Sequence, residues 1–250
     1  MEWTDRAIML SARRHGETSA IVSLLTREHG RHAGLVRGGA GRRQAGVLQP
    51  GHLVTARWRG RLLEHLGNYT IEPERATSAA FMDDGDRLAC LASACAVVER
   101  ALAERHPYPA LFDGFLALLD ALGHQGSHWA AVYVRWELGL LDQLGFGLNL
   151  AACAVTGHND GLAYVSPRTG RAVSASAAEP WRDKLLPLPA FLSAAGGGGA
   201  EQVAAGLRLT GHFMEQHLFA HERAGPPPAR ERFVARMARA ATRSGVISPP

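Results

Sequence analysis

Hydrophobic and polar residues alternate in short segments over the first 75 positions of the chain, and glycine, asparagine or proline ends each segment. Alternation with a period of two is typical of strands that bury one face. The pattern predicts five strands, at residues 7–13, 20–28, 31–37, 52–59 and 62–71. Because no helix-length crossover separates most of these strands, a small five-stranded barrel is favoured over a parallel sheet.

After Pro73 the chain changes to alanine- and leucine-rich segments whose apolar residues recur with helical spacing. This spacing predicts helices near residues 83–105, 110–122, 128–144, 201–221 and 229–243. We therefore predict an α+β protein with two domains, a barrel at residues 1–76 and an all-α helical domain at residues 77–250. No apolar run is long enough to predict a membrane span.

Positive charge is concentrated in one part of the sequence. Arginine supplies 26 of the 27 basic residues, and the net charge of the whole chain is only +4. Eight of these arginines lie between residues 27 and 61 against a single acid, Glu28, whereas residues 81–250 carry 15 basic and 16 acidic side chains. A GC-rich genome accounts for arginine in place of lysine, but it does not account for this clustering.

The segment at residues 37–43 reads RGGAGRR and lies between two predicted strands. Its glycines let the backbone approach a ligand, and its guanidinium groups can contact phosphate oxygens in pairs. A nucleotide-binding P-loop would need a lysine after the last glycine, and the segment has none. The segment is therefore either part of a phosphate-binding groove or a solvated hairpin loop.

A second group of arginines supports the groove. Arg57, Arg59 and Arg61 alternate along a predicted strand and share one face if that strand continues through Gly60. Like charges aligned on one face repel one another unless a polyanion neutralises them. The intervening Trp58 is then expected to point into the core of the barrel.

Residues for catalysis or metal binding are difficult to assign. Three cysteines and the lack of a basic-then-apolar leader predict a reducing, cytoplasmic setting, and Cys90 and Cys95 fall in a predicted apolar helix. The pairs His124/His128 and His217/His221 have helical spacing but no HExxH motif. The acids at 83, 84 and 86 fit helix capping. We expect no catalytic residue, with a metal-dependent nuclease or hydrolase as the alternative.

The segment at residues 151–178 has the form of a degenerate zinc knuckle. Cys153 and Thr156 stand where the first C-x-x-C pair of a knuckle would stand, and Ser174 and Ala177 occupy the place of the second pair. One thiolate cannot hold a structural zinc ion, which needs four ligands. We therefore expect no zinc and no other cofactor.

Several motifs together carry a family resemblance. The more specific ones are residues 7–10 (AIML), 14–22 (RHGETSAIV), 25–30 (LTREHG), 34–39 (GLVRGG) and 48–51 (LQPG). A looser group follows at 153–157 (CAVTG), 164–167 (YVSP) and 188–189 (LP). Over most of its length the chain resembles the RecO family of bacterial DNA repair proteins.

This resemblance implies an oligonucleotide-binding (OB) barrel joined to a helical domain, and a recombination mediator that catalyses no covalent step. It implies binding of single- and double-stranded DNA, annealing of complementary strands, and loading of RecA together with RecR and the single-strand binding protein SSB. Many family members hold zinc with four cysteines, of which this chain keeps only Cys153. A nucleoid-associated, cytoplasmic location follows, and an RNA-binding barrel remains the other alternative.

Two sets of arginines are the candidate binding residues. The first lies in the predicted barrel and is expected to contact DNA: Arg13, Arg14, Arg27, Arg31, Arg37, Arg42, Arg43, Arg57, Arg59 and Arg61. The second forms a stripe on the last predicted helix, because its members are spaced by four, three and four residues: Arg232, Arg236, Arg239 and Arg243. This stripe is either an anion-binding surface, for DNA or for the acidic tail of SSB, or an ordinary solvated helix face.

Overall fold

A computed structural model of the chain describes residues 1–126, 128–193, 198–220 and 225–246. The chain divides into two compact units, Met1–His124 and Gln125–Pro250. The strands of the barrel end at Arg75, and the two helices that follow belong to the same unit as the barrel. A boundary between functional domains at residue 76 stays a prediction.

The first unit is built on a closed five-stranded barrel of the OB-fold type, which confirms the predicted architecture. Its strands are joined in the order β1-β2-β3-β5-β4, and β4 returns to pair with β1. All pairs are antiparallel except β3 with β5, which meet only at Leu35 and Asn68. The strands are β1 (Glu2–His15), β2 (Ser19–Thr26), β3 (Gly30–Val36), β4 (Leu53–Arg59) and β5 (Asn68–Arg75).

Alternation along these strands fills the barrel, as the sequence pattern predicts. Every second residue of β2, β3 and β4 points inward, and the buried cluster includes Val22, Leu24, Val54, Ala56 and Trp58. Trp58 is fully buried, which confirms its expected place in the core. This arrangement leaves the alternate positions of the same strands on the outer surface.

The structure corrects the position of the last strand, which was predicted at residues 62–71. Strand β4 ends at Arg59, so Arg61 does not share a strand face with Arg57 and Arg59. The physical reason is the indole of Trp58: a Cβ atom at Gly60 or Gly67 would lie 2.5 or 2.3 Å from its ring atoms. The chain turns around this indole, and residues 60–67 form a loop whose alternating pattern imitates a strand.

Three α-helices accompany the barrel in the first unit, with a short 3-10 helix at Thr77–Phe81: α1 (Arg42–Val47), α2 (Gly85–Ala101) and α3 (Pro109–Gly123). The short helix α1 begins at the last two residues of the glycine- and arginine-rich segment and was not predicted. The side chain of Asp84 accepts hydrogen bonds from the backbone N–H groups of Asp86 and Arg87, at 3.0 and 3.1 Å. This confirms the capping role for Asp84, while Asp86 lies in the first turn of the helix.

Residues 102–106 run beside β3 in the stretch where β5 does not pair with it. Arg31 and Glu104 form a parallel bridge, and the backbone N–H of Arg105 donates to the carbonyl of Arg31 at 2.8 Å. The approach is so close at Gly30 that a Cβ atom there would lie 1.9 Å from the carbonyl oxygen of His106. Only glycine fits this position, and the segment closes the gap in the barrel wall.

The second unit is mainly helical, as predicted, and contains α4 (Trp129–Gln143), α5 (Ala175–Ala178), α6 (Ala190–Ser193), α7 (Ala200–His217) and α8 (Pro228–Val246). It also holds a small antiparallel sheet in the order β7-β6-β8, which the sequence did not predict. These strands are β6 (Leu162–Val165), β7 (Ala172–Ser174) and β8 (Leu186–Pro187). Among the described residues, no helix is both long and apolar enough to cross a membrane.

Candidate nucleic-acid interface

Three loops meet at one end of the barrel: the β1–β2 turn, the glycine-rich loop that follows β3, and loop 60–67. The first two are in direct contact. The backbone N–H of Ala40, in the glycine-rich loop, donates to the carbonyl of Thr18 in the β1–β2 turn at 3.0 Å. Gly39 lies so close to β2 that a Cβ atom would approach that of Ala20 to 2.8 Å. Arg14 is paired with Ala20 across the hairpin, so it lies next to the glycine-rich loop.

The third loop is 60–67, and Arg37 links the glycine-rich loop to it. The Nε of Arg37 donates to the side-chain carbonyl of Asn68, the first residue of β5, at 3.3 Å. The backbone N–H of Leu35 donates to the carbonyl of Gly67 at 3.1 Å. In OB-folds the face of strands 2 and 3 and the loops β1–β2 and β4–β5 bind oligonucleotides, and these are the elements brought together here.

The arginines around these loops are available to an external anion. All are exposed, and none has an ion pair within the described part of the chain: Arg13, Arg14, Arg37, Arg42 and Arg61. Arg43 lies in α1, but its side chain is outside the described residues. Two acids, Glu17 and Glu64, are exposed in the same region, against six arginines. The surplus of positive charge at this end of the barrel is therefore not neutralised internally.

Four other arginines of the predicted set already have carboxylate partners. Arg27 pairs with Asp113 at 3.0 Å, and this hydrogen bond lowers the pKa of Asp113. Arg31 pairs with Glu104 at 3.1 Å, and both Arg57 and Arg59 pair with Glu2. The structure thus divides the nine predicted arginines whose side chains it describes into an available group near the loops and a group already paired with carboxylates.

The outer surface of β2 and β3 between the loops is partly apolar. Strand register aligns Arg13 with Ile21 and Ile21 with Leu35 in one row across the sheet. Ile21 and Leu35 are half-buried, and Arg37 follows Leu35 on the same face. A strand of nucleic acid on this surface would meet apolar side chains under its bases and arginines beside its phosphates.

The aromatic side chains of the barrel point inward rather than onto this surface. Trp3, Trp58, His32 and Tyr69 form a cluster with ring centroids 5.2 to 5.8 Å apart, and the ring of His29 stacks on Trp3 at 4.0 Å. The hydroxyl of Tyr69 lies 3.0 Å from Nδ1 of His32, and both residues are buried. Tyr69 fills the barrel rather than offering an exposed face to a base.

The buried histidine makes the stability of the barrel depend on pH. Burial lowers the pKa of His32 from 6.5 to about 4, and the charge of Arg105 adds to this effect. The unfolded chain therefore takes up a proton near pH 6.5, whereas the folded chain takes it up only near pH 4. We expect the free energy of unfolding to fall by about 3 kcal/mol between these pH values.

Urea unfolding at a series of pH values measures this loss. His32→Gln should reduce the pH dependence between pH 6.5 and 4, because one of the two buried histidines with a lowered pKa, His32 and His52, is gone. His65→Gln is the matched control, since His65 is exposed in loop 60–67 and should leave the dependence unchanged. A His32→Gln chain with the same pH dependence as the wild type would contradict the prediction.

The arginine stripe lies on the exposed side of α8, opposite the buried residues Phe233, Met237 and Ala241. Its four members are exposed: Arg232, Arg236, Arg239 and Arg243. Arg230, which precedes them, is instead buried and hydrogen-bonded to the carboxylate of Glu137 through Nε at 2.7 Å. The stripe therefore faces outward from the helix, whereas Arg230 belongs to the core.

Hydroxyl groups surround the thiol of the knuckle-like segment. Cys153 is buried; its sulfur accepts a hydrogen bond from the backbone N–H of Ser174 at 3.3 Å, and its S–H donates to the hydroxyl of Ser174 at 3.5 Å. Burial raises the pKa of Cys153, but hydrogen bonds from Thr156 and Ser174 outweigh burial and bring it to about 6. A thiol, two hydroxyls and the methyl group of Ala177 do not fit a zinc ion.

The histidine pairs do not form a metal site with other ligands in the described part of the chain, which holds no group of three or more histidine, cysteine or carboxylate residues suited to a metal. Nδ1 of His124 lies 2.6 Å from the carbonyl of Asp120, and the ring of His217 stacks on Phe146. His221 lies outside the described residues.

Comparison with known proteins gives matches over nearly the whole chain. The family model Recombination protein O N terminal matches residues 1–74, and Recombination protein O C terminal matches residues 82–224. The DNA repair protein RecO of Rhodospirillum centenum is 60% identical over 252 residues and covers 100% of both chains. That of Rhodospirillum rubrum is 51% identical and covers 96% of this chain and 97% of its own.

Proposed function

Because the chain belongs to the RecO family of DNA repair proteins, and thus acts in DNA repair and recombination, we propose that its barrel binds DNA without sequence preference. The observation that carries the proposal is the group of exposed arginines around three adjoining loops. Such a group neutralises phosphates and releases their counterions, which gives tight and salt-dependent binding. DNA contacts are assigned first to Arg13, Arg14, Arg37, Arg42, Arg43 and Arg61.

Annealing of complementary strands follows from the same electrostatics. Two DNA strands repel each other, and arginines that screen their phosphates let base pairing proceed. This role needs no covalent step, and we propose that the chain is a mediator rather than an enzyme. Its proposed partners are single- and double-stranded DNA, RecR and SSB. Together with RecR and SSB it helps to load RecA onto DNA, and its proposed location is the cytoplasm, at the nucleoid.

The stripe on α8 is the proposed contact for a second anion. Its four exposed arginines are spaced along one helix face and oppose a buried apolar face. We assign this stripe to contact with the acidic tail of SSB or with DNA. We assign no surface to RecR.

Removing the available arginines tests the DNA-binding proposal. Changing Arg37, Arg42 and Arg43 together to alanine should weaken binding of every DNA sequence. The slope of log affinity against log salt should become shallower by about 2 for single strands, because each lost phosphate contact removes about 0.7. Fluorescence anisotropy of labelled oligonucleotides over a range of salt concentrations measures both quantities.

A charge-matched variant provides the control. Arg27, Arg57 and Arg59 changed together to alanine remove the same formal charge, but these side chains are already paired with carboxylates. Their loss should change the slope by much less than the loss of the first three arginines. Equal slopes for the two triple variants would refute the assignment. An RNA oligonucleotide bound more tightly than DNA would favour the RNA-binding alternative, and a cleaved product would favour the nuclease.

A further inference from the structure

An open apolar cavity of about 520 Å³ lies in the second unit, beside the small sheet. Its apolar lining includes Val155, Pro167, Trp181 and Leu185. Trp181 keeps 52% of its surface exposed and Val155 keeps 62%, so the cavity is a shallow platform rather than an enclosed pocket. Contiguous apolar surface that is rimmed by polar side chains marks an interaction site.

Positive side chains line the same cavity. Arg168 lines one part of it, and Lys184, the single lysine of the chain, lines another. Arg182 lies next to Trp181 in sequence and places its guanidinium 6.0 Å from the ring centre of Tyr164. The surrounding residues 166–185 carry four basic and two acidic side chains, the acids being Glu179 and Asp183. The platform is thus apolar in its lining and positive in its charge balance.

We propose that this platform is a second nucleic-acid site, at which a base of single-stranded DNA stacks on Trp181 while Arg168 and Lys184 contact phosphates. A stacked base needs only one open aromatic face and flanking cations. An apolar side chain of a peptide binds strongly only in a pocket that excludes water. This cavity is not such a pocket, because Trp181 and Val155 remain exposed to water. The shape therefore favours a nucleic-acid strand over an acidic peptide.

The inference rests on the proposed function and deepens it. Annealing brings two strands to one protein, and a single groove on the barrel engages one of them. A base-stacking platform in the second unit gives the chain a separate place for the other strand. The barrel should then determine affinity for a first strand, and the platform should determine how fast a second strand is annealed.

The single lysine provides a direct test on the full-length chain. An amine-specific acetylating reagent can modify only Lys184 and the amino terminus, and mass spectrometry quantifies each modification. Saturating oligothymidylate should protect Lys184 several-fold in the wild type but not in Trp181→Ala. Unchanged acetylation of Lys184 at saturating DNA would overturn the proposal. So would protection of Lys184 by a glutamate-rich peptide with an apolar end but not by the oligonucleotide.

Annealing rates give a second readout. Trp181→Ala should slow annealing of complementary oligonucleotides by about tenfold, since alanine substitution removes base stacking. It should change affinity for a first strand less than twofold, and Trp181→Phe should retain most of the annealing rate. Phe146→Ala, which removes an exposed aromatic ring outside the cavity, is the matched control and should anneal like the wild type.

The outcomes separate the two proposals. A wild-type chain that neither binds nor anneals DNA would refute the proposed function. A wild-type chain that anneals DNA, with Trp181→Ala annealing at the same rate, would refute only the second site. Circular dichroism of Trp181→Ala should match the wild type, because the exposed indole contributes little to the core.

Discussion

Replacing Glu137 with alanine is expected to lower the free energy of unfolding of the second unit by about 3–5 kcal/mol. The carboxylate of Glu137 is fully buried and accepts two hydrogen bonds from Arg230, at 2.7 and 3.0 Å. Its removal leaves the guanidinium of Arg230, only 4% exposed, without the opposite charge that offsets its burial. Since whole domains are stable by only about 5–15 kcal/mol, the loss is a large share of the total.

The pair also connects three helices of the second unit. Glu137 lies on α4 and Arg230 on α8, and Arg230 donates further to the carbonyl of Leu207 and the hydroxyl of Thr210 on α7, at 3.0 and 3.2 Å. Burial opposes the positive charge of Arg230, but the attraction of Glu137 outweighs it and raises the pKa of Arg230. The ion pair therefore fixes the relative positions of these helices. It also neutralises the two buried charges.

Urea unfolding and hydrogen exchange measure this effect. Glu137→Ala should shift the unfolding transition of the second unit and lower exchange protection in α4, α7 and α8. The double variant Glu137→Leu with Arg230→Met should recover most of the stability, because it leaves no buried charge. Arg208→Ala, at an exposed position of α7, serves as the control. A loss below about 1 kcal/mol for Glu137→Ala would show that water reaches the site.

The sequence is sufficient to predict those parts of the fold that depend on local periodicity. Four strands of the barrel and the five long helices lie close to their predicted positions, because apolar spacing alone specifies which side faces the core. The fifth strand was misplaced because Leu62 and Leu63 continue a strand-like pattern into a loop. The small sheet was missed since its strands have only four, three and two residues, too few to show a period.

The candidate site was harder to predict because ion pairs join residues that are distant in sequence. Arg27 and Asp113 are 86 residues apart, and Arg57 and Glu2 are 55 apart. From the sequence, these arginines could not be distinguished from Arg37 and the others that have no carboxylate partner. The one feature of the sequence that marks the available arginines is the glycine-rich loop, because glycine lets its backbone fit closely against β2.

Arginine has two roles in this chain: some guanidinium groups pair with carboxylates of the chain, and others have no such partner among the described residues. Charge density along the sequence finds the region of the barrel, but three-dimensional contacts decide which guanidinium groups remain for DNA. Arg230 shows the limit most clearly, since it stands beside the exposed stripe of α8 in sequence and yet is buried with Glu137. Candidate DNA contacts are therefore better ranked by unpaired charge than by local arginine count.

Replacing Trp58 with alanine is expected to lower the free energy of unfolding of the first unit by about 3–5 kcal/mol. The indole is fully buried, stacks near Trp3 with ring centres 5.8 Å apart, and donates from Nε1 to the carbonyl of Leu66 at 3.0 Å. Alanine would leave a cavity in the barrel and remove the group around which Gly60 and Gly67 turn the chain. Loop 60–67 should lose its position at the end of the barrel that we propose binds DNA.

Two further substitutions show whether packing or the hydrogen bond dominates at Trp58. Trp58→Phe keeps an aromatic ring but leaves the carbonyl of Leu66 without its donor, so its cost should be smaller, about 1–3 kcal/mol. Trp181→Ala removes an indole that is 52% exposed and should change stability by less than about 1 kcal/mol. Hydrogen exchange should show that Trp58→Ala lowers protection in β4 and β5, whereas helices of the second unit stay protected. Equal destabilisation by Trp58→Ala and Trp181→Ala would mean that the barrel does not depend on its buried indole. It would also contradict the conclusion that this indole holds loop 60–67 in position.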